Sequence, residues 1–219
     1  MASGRGSNFQ AIIDAAELGI TPDVEIIHLV VNKKDAYAIQ RAKKHRIEFT
    51  VISSSDKTRR EFDQSVLKLF RRLKIEIVVL AGFMRLLTPE FIDAYRNRIL
   101  NIHPALLPSF PGAHAHRDAI NYGVKVSGCT AHLVDEGIDS GPIIMQASVP
   151  VRIRCAERAH DRSNGLVLIH HERTVGIQVV GRNVRDGLVD VEHADREVAL
   201  DVGLQVIVDA HLNLVADVR

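Results

Sequence analysis

The sequence contains no tryptophan and only two cysteines, Cys129 and Cys155. Two cysteines make no disulfide framework, so the fold must rest on a packed core and suits a reducing, cytoplasmic setting. It has no secretory leader pattern and no apolar run near the ~18 residues a membrane-spanning helix needs. Neither sign of charge is in excess: the formal net charge is +1 over 219 residues. Neither a nucleic acid nor a membrane surface is therefore expected as a partner. The hydrophobic fraction of 46% is that of an ordinary globular chain, long enough to bury a substantial core.

A second set of absences is local. All eight lysines, seven prolines, seven phenylalanines, three tyrosines and three methionines fall at or before Pro150. Residues 152–219 contain none of these and carry 13 valines and 9 arginines instead. A core without one aromatic is unusual, because aromatics supply much of the buried area. Two units are therefore expected: a catalytic unit over 1–151 and an atypical Val-rich tail over 152–219. The tail is either a small β-rich unit, with strand-like alternation at Thr174–Val179 and Leu204–Val208, or an out-of-frame translation that is poorly ordered.

Within the first unit, strand and helix patterns alternate. Val24–Val31, Glu48–Ile52, Ile75–Ala81, Ile99–His103, Val124–Val134 and Ile143–Val149 read as strands. Helices are expected at Phe9–Ala16 (capped by Ser7 or Asn8), Ala36–His45, Lys57–Leu73, Glu90–Tyr95 and His116–Tyr122. Phe62, Val66, Leu69, Phe70 and Leu73 share one face of the third helix. This alternation predicts an α/β fold, a mostly parallel sheet flanked by helices. A glycine loop that opens a helix normally follows a strand. Here Met1 stands where that strand should end, so the first strand is expected to be missing.

Three groups carry chemistry. Gly4-Arg5-Gly6-Ser7-Asn8 opens a helix, and free N–H groups there favour an anion such as phosphate. Asn101 and His103 lie at a strand end, His103 being held extended by Pro104, and Asp139 lies in the loop Asp135–Pro142. When an amine attacks a formyl or acyl carbon, an Asn N–H or protonated His can stabilise the developing oxyanion, while His moves the protons. Asp139 would tune His103 directly or through a water. The segment Leu80–Leu87 is either core packing or one wall of a pocket for a flat aromatic ligand. His103, His114, His116 and His132 have no zinc-like spacing, so no metal is expected.

These segments, in this order and spacing, resemble the phosphoribosylglycinamide formyltransferase family of purine biosynthesis, among the folate-dependent formyltransferases. The resemblance spans about residues 2–151. It implies a Rossmann-like sheet and a transfer from 10-formyltetrahydrofolate, as co-substrate, to the amine of 5-phosphoribosylglycinamide. It assigns His103 as general acid/base, Asn101 as oxyanion stabiliser and Asp139 as the carboxylate that tunes His103. Gly6, Ser7 and Asn8 match the substrate-phosphate loop. Arg59, Met84, Arg85, Leu86, Leu87 and Asn101, with Asp135, Glu136, Gly137, Ile138 and Asp139, match the folate pocket. The chain departs from the family pattern in its missing first strand and in residues 152–219, which lack the family's long C-terminal helix. Two rival readings remain: hydrolysis of the formyl folate or formylation of another amine, and a non-catalytic folate- or nucleotide-binding remnant.

Overall fold

A computed structural model describes residues 1–153 and 175–177. The tail beyond Ile153, apart from Val175–Ile177, lies outside the described residues, and with it the expectations for 152–219. The elements run α1 (Ser7–Glu17), β1 (Leu29–Val31), α2 (Ala38–Lys44), β2 (Phe49–Val51), α3 (Arg59–Leu73), β3 (Val78–Leu80), α4 (Pro89–Ala94), β4 (Ile99–His103), α5 (Ala115–Tyr122), β5 (Val126–Leu133), β6 (Ile143–Ile153) and β7 (Val175–Ile177). β1 pairs with β2 and β3 with β4 in parallel, whereas β4, β5, β6 and β7 follow one another antiparallel. The strands form two sheets, a parallel β1–β2 pair and β3-β4-β5-β6-β7, the latter parallel at β3–β4 and antiparallel from β4 onward. The described helices include none long and apolar enough to cross a membrane.

Local chemistry sets the helix ends. Thr58 caps α3 in a capping box with Glu61, and Thr88 caps α4 ahead of Pro89. Gly123, at φ 88°, closes α5. The expected side-chain cap of α1 does not form. Its N-cap is Gly6, whose φ of 70° turns the chain without any side chain. A Cβ there would meet Ala38 Cβ at 2.7 Å, so only glycine lets the loop lie on α2.

Among the described residues the core gathers mainly in two clusters, with a smaller one around Ala131. One gathers Phe62, Val66 and Phe70 of α3 with Phe91, Tyr95 and Ile99; the rings of Phe70, Phe91 and Tyr95 stand 5.8–6.1 Å apart. The other joins Phe9 and Ile13 of α1 to Ile39 and Ala42 of α2 and to β1. The apolar patterns 24–31 and 75–81 yield strands of only three residues each, Leu29–Val31 and Val78–Leu80.

Asp63 is buried in α3 and accepts the Thr88 N–H at 2.6 Å, which pins the loop entering α4. Burial raises its carboxyl pKa, against the lowering effect of Thr88 and of the Arg85 and Arg59 charges. The folded state therefore holds this proton to higher pH than the unfolded chain, and the contribution to stability is lost as pH rises. Asp63→Asn, which keeps an acceptor for Thr88, should raise Tm relative to the parent near pH ~8 and lose that advantage near pH ~4. An equal difference at both pH values would refute desolvation as the cause.

Candidate active site

Asn101 and His103 lie on β4, and the antiparallel register places Asn101 opposite His132 and His103 opposite Thr130 of β5. His132 is fully buried, and its Nδ1 lies 2.9 Å from the Leu133 carbonyl oxygen. A carbonyl only accepts, so Nδ1 carries hydrogen and Nε2 of the neutral ring is an acceptor. That nitrogen takes an amide hydrogen from Asn101 Nδ2 at 3.0 Å. The other Asn101 amide hydrogen goes to Asp139 Oδ1 at 3.3 Å. His132 thereby sets which way the Asn101 amide points.

Asp139 is the hub. Its Oδ2 accepts the Gly112 N–H at 2.7 Å and lies 3.2 Å from His103 Nδ1, while Oδ1 lies 3.6 Å from His132 Nε2. His103 Nε2 donates to the Phe110 carbonyl at 2.8 Å. In the imidazolium form, therefore, both N–H groups of His103 have an acceptor. Asp139 and Phe110 both hold φ above 0, at 51° and 55°. An Asp tolerates this conformation; a bulky Phe seldom does, and here its ring packs edge-on against Tyr122 at 5.8 Å. Backbone held this way at the partners of a buried His is characteristic of positioned sites.

The trio opens on a cleft of about 390 Å³. Every residue expected for the folate pocket lines it: Arg59, Met84 to Leu87, Asn101 and Asp135 to Asp139. The loop 135–140 is held by Asp135, whose Oδ1 accepts from Gly137 N at 3.1 Å and from Ser140 Oγ at 2.8 Å. Arg85 lays its guanidinium 4.8 Å over the Phe62 ring, and its Nε is buried without a partner. Met84 and Leu86 are exposed, as an apolar wall for a ligand requires.

Gly6, Ser7 and Asn8 stand apart from this cleft, at the start of α1. The first helical bond runs from Gln10 N to Gly6 O, so the N–H groups of Ser7, Asn8 and Phe9 have no intrahelical partner. The loop is tied to the cleft wall by Ser3: its N–H donates to Gly82 O at 3.1 Å, and its hydroxyl accepts the Met84 N–H at 2.9 Å.

Sequence reasoning did not single out His132, Phe110, Gly112 or Thr130 for the site. Thr130 is fully buried, donates to Ala105 O at 2.7 Å and accepts Leu107 N–H at 3.0 Å, fixing the loop after His103. The signal for His132 and Thr130 was their even spacing on one strand face, legible only with the β4–β5 register in hand.

An α/β fold with an Asn–His–Asp cluster at the end of β4, and a glycine-led helix start apart from it, suits a formyl transferase. The family model described as Formyl transferase matches residues 1–164, and the chain belongs to that family. Among its relatives, phosphoribosylglycinamide formyltransferase from Escherichia coli (strain K12) is 42% identical over 153 residues, 69% of this chain and 71% of that protein. The trifunctional purine biosynthetic protein adenosine-3 of Drosophila melanogaster is 43% identical over 155 residues. That match covers 69% of this chain but 11% of the relative's own length. Of solved structures, glycinamide ribonucleotide transformylase 1 from Symbiobacterium toebii superposes with a TM-score of 0.72 at 33% identity, covering 95% of this chain and 82% of that one. Phosphoribosylglycinamide formyltransferase from Brucella melitensis gives a TM-score of 0.64 at 44% identity, covering 68% and 77%.

Proposed function

We propose that this chain transfers the formyl group of 10-formyltetrahydrofolate to the amine of 5-phosphoribosylglycinamide. The observation that carries the reading is the Asn101–His103–Asp139 cluster, set in one cleft with every residue expected to hold the folate. The names of the relatives support phosphoribosylglycinamide as acceptor and formyl as the group transferred. The flat donor rests against Met84 to Leu87 and the loop 135–139, and the ribonucleotide phosphate meets the free N–H groups of Ser7 and Asn8.

In the reaction the amine nitrogen bonds to the formyl carbon, and the bond from that carbon to the folate nitrogen breaks. The incoming nitrogen loses a proton and the leaving nitrogen gains one. His103 takes the proton that the incoming nitrogen loses and delivers it to the leaving nitrogen, with Asp139 beside its Nδ1 at 3.2 Å. Asn101 turns an amide hydrogen to the formyl oxygen. Its 3.3 Å bond to Asp139 is the longest Asn101 makes, and so the one it gives up most cheaply.

The test is a turnover assay of the full chain with both substrates, and again with the folate and water alone. Formylated ribonucleotide appearing in step with donor consumption supports the proposal. Formate release that needs no amine identifies a hydrolase. Folate binding in calorimetry without either product leaves only the non-catalytic remnant.

A further inference from the structure

The peptide joining Arg5 to Gly6 is held from outside its own loop. Its carbonyl oxygen accepts from Arg41 Nε of α2 at 3.0 Å. One residue earlier, the Gly4 carbonyl accepts the Ala38 N–H of the same helix at 3.1 Å. In a trans peptide the N–H points opposite to the C=O. With both carbonyls drawn towards α2, the N–H groups of Arg5 and Gly6 turn away from it. Neither donates to a main-chain oxygen among the described residues. Gly6 lies in the left-handed region, and Ser7 begins the right-handed turn of α1. That succession aims the N–H groups of Gly6, Ser7 and Asn8 into one anion-accepting hollow.

Arg41 is itself braced. Its Nη1 donates to Gln10 Oε1 at 3.0 Å, and its guanidinium lies 5.3 Å over the Tyr37 ring. Gln10 Nε2 donates to Asp14 Oδ1 at 2.8 Å and faces His45 Nε2 at 3.0 Å. The Gln10 oxygen is taken by Arg41, so its nitrogen serves the other two, and His45 Nε2 accepts. His45 Nδ1 then donates to Glu17 Oε1 at 2.7 Å. Each group in this relay has one role, and the guanidinium is fixed in two directions at once. A Cβ on Gly6 would lie 3.6 Å from Arg41 Cδ, so the arginine stem also runs along the loop.

We infer that Arg41 is a positioning residue for the phosphate of the acceptor. It holds the Arg5–Gly6 peptide in the orientation that presents the Gly6 N–H, acting through the loop rather than on the anion. The inference rests on the phosphate site proposed above. Without this hold the peptide is free to turn its carbonyl oxygen into the hollow, where it repels an anion. Arginine suits the task because Nε and Nη1 donate from separate points of one rigid plane. A lysine would have to serve both oxygens from one nitrogen.

The test compares the full chain with Arg41→Ala and Arg41→Lys, on 5-phosphoribosylglycinamide and on the same acceptor without its phosphate. Arg41→Ala should raise KM for the phosphorylated acceptor about tenfold, and Arg41→Lys at least about threefold although it keeps the charge. The kcat and the KM for the formyl donor should stay within about twofold of the parent. With the acceptor that lacks phosphate, kcat/KM should be the same in all three proteins. A smaller rise in KM in either variant overturns the inference, a parent-like Arg41→Lys meaning that charge alone matters. An equal loss on the acceptor without phosphate also overturns it. If Arg41→Ala does not fold, Arg41→Lys decides by the same criteria. If the parent shows no turnover, the proposed function fails and the inference is decided by binding. Ribose 5-phosphate is then titrated while the amide resonances of Gly6 to Asn8 are followed. Saturable shifts with a Kd raised in both variants support the inference; equal Kd values, or no shifts in the parent, overturn it.

Discussion

His103→Ala should lower kcat by about 10²–10⁴-fold, the usual worth of a positioned acid–base group, with a much smaller change in KM. His103 is not among the residues proposed to hold the folate, so donor binding has little reason to fail. The residue is 3% exposed, and its ring is held between the Phe110 carbonyl and Asp139. Its loss leaves both without that donor, at about 1–3 kcal/mol for a buried group left unpaired. The variant should therefore melt earlier, and its kinetics must be measured below its own Tm. Asp139 keeps the Gly112 and Asn101 hydrogens, so the loop 135–140 stays in place and folate still binds in calorimetry. Near-full turnover in a folded His103→Ala protein would end the acid–base assignment.

Gly141→Ala should lower both stability and turnover from outside the cluster. A Cβ at Gly141 would stand 1.9 Å from the Leu133 carbonyl oxygen and 2.9 Å from its carbon. Both are main-chain atoms of β5, and the adjacent Leu133 N–H donates to Pro142 O at 2.9 Å. No side chain can rotate aside, so the segment after Asp139 must lift away from the strand. The expected result is a loss of about 1–3 kcal/mol in stability, the range for overpacking. A fall in kcat should accompany it, because Asp139 sits two residues before the displaced point and its Oδ2 is set by the Gly112 bond. Urea unfolding and steady-state kinetics on one preparation measure both. A variant with unchanged stability would mean that the strand and loop separate more freely than the close approach at Leu133 allows.

The elements whose evidence is local were legible in the sequence. The α3 stripe of Phe62, Val66, Leu69 and Phe70 and the stop at Gly123 needed only helical spacing and one glycine. The lengths of β1 and β3 were not legible, because apolarity marks a strand but its extent depends on a neighbour to bond with. Nor was the antiparallel return of β5 beside β4, which carries His132 to Asn101. Alternating elements suggest parallel strands, and nothing in Val126–Leu133 itself states its direction. Asn101, His103 and Asp139 could be grouped from sequence because their types are complementary, and the fold brings them within reach of one another. Phe110 was missed because it acts through a backbone carbonyl, which every residue possesses.

Ser3 has a consequence for the liganded protein. Its backbone and hydroxyl join the glycine loop to Gly82 and Met84, where the wall proposed to hold the folate begins. A ribonucleotide seated with its phosphate at Ser7 and its amine near His103 would span that same joint. Substrate would then act as a clamp between the two sheets, adding stability in proportion to the logarithm of its concentration once above Kd.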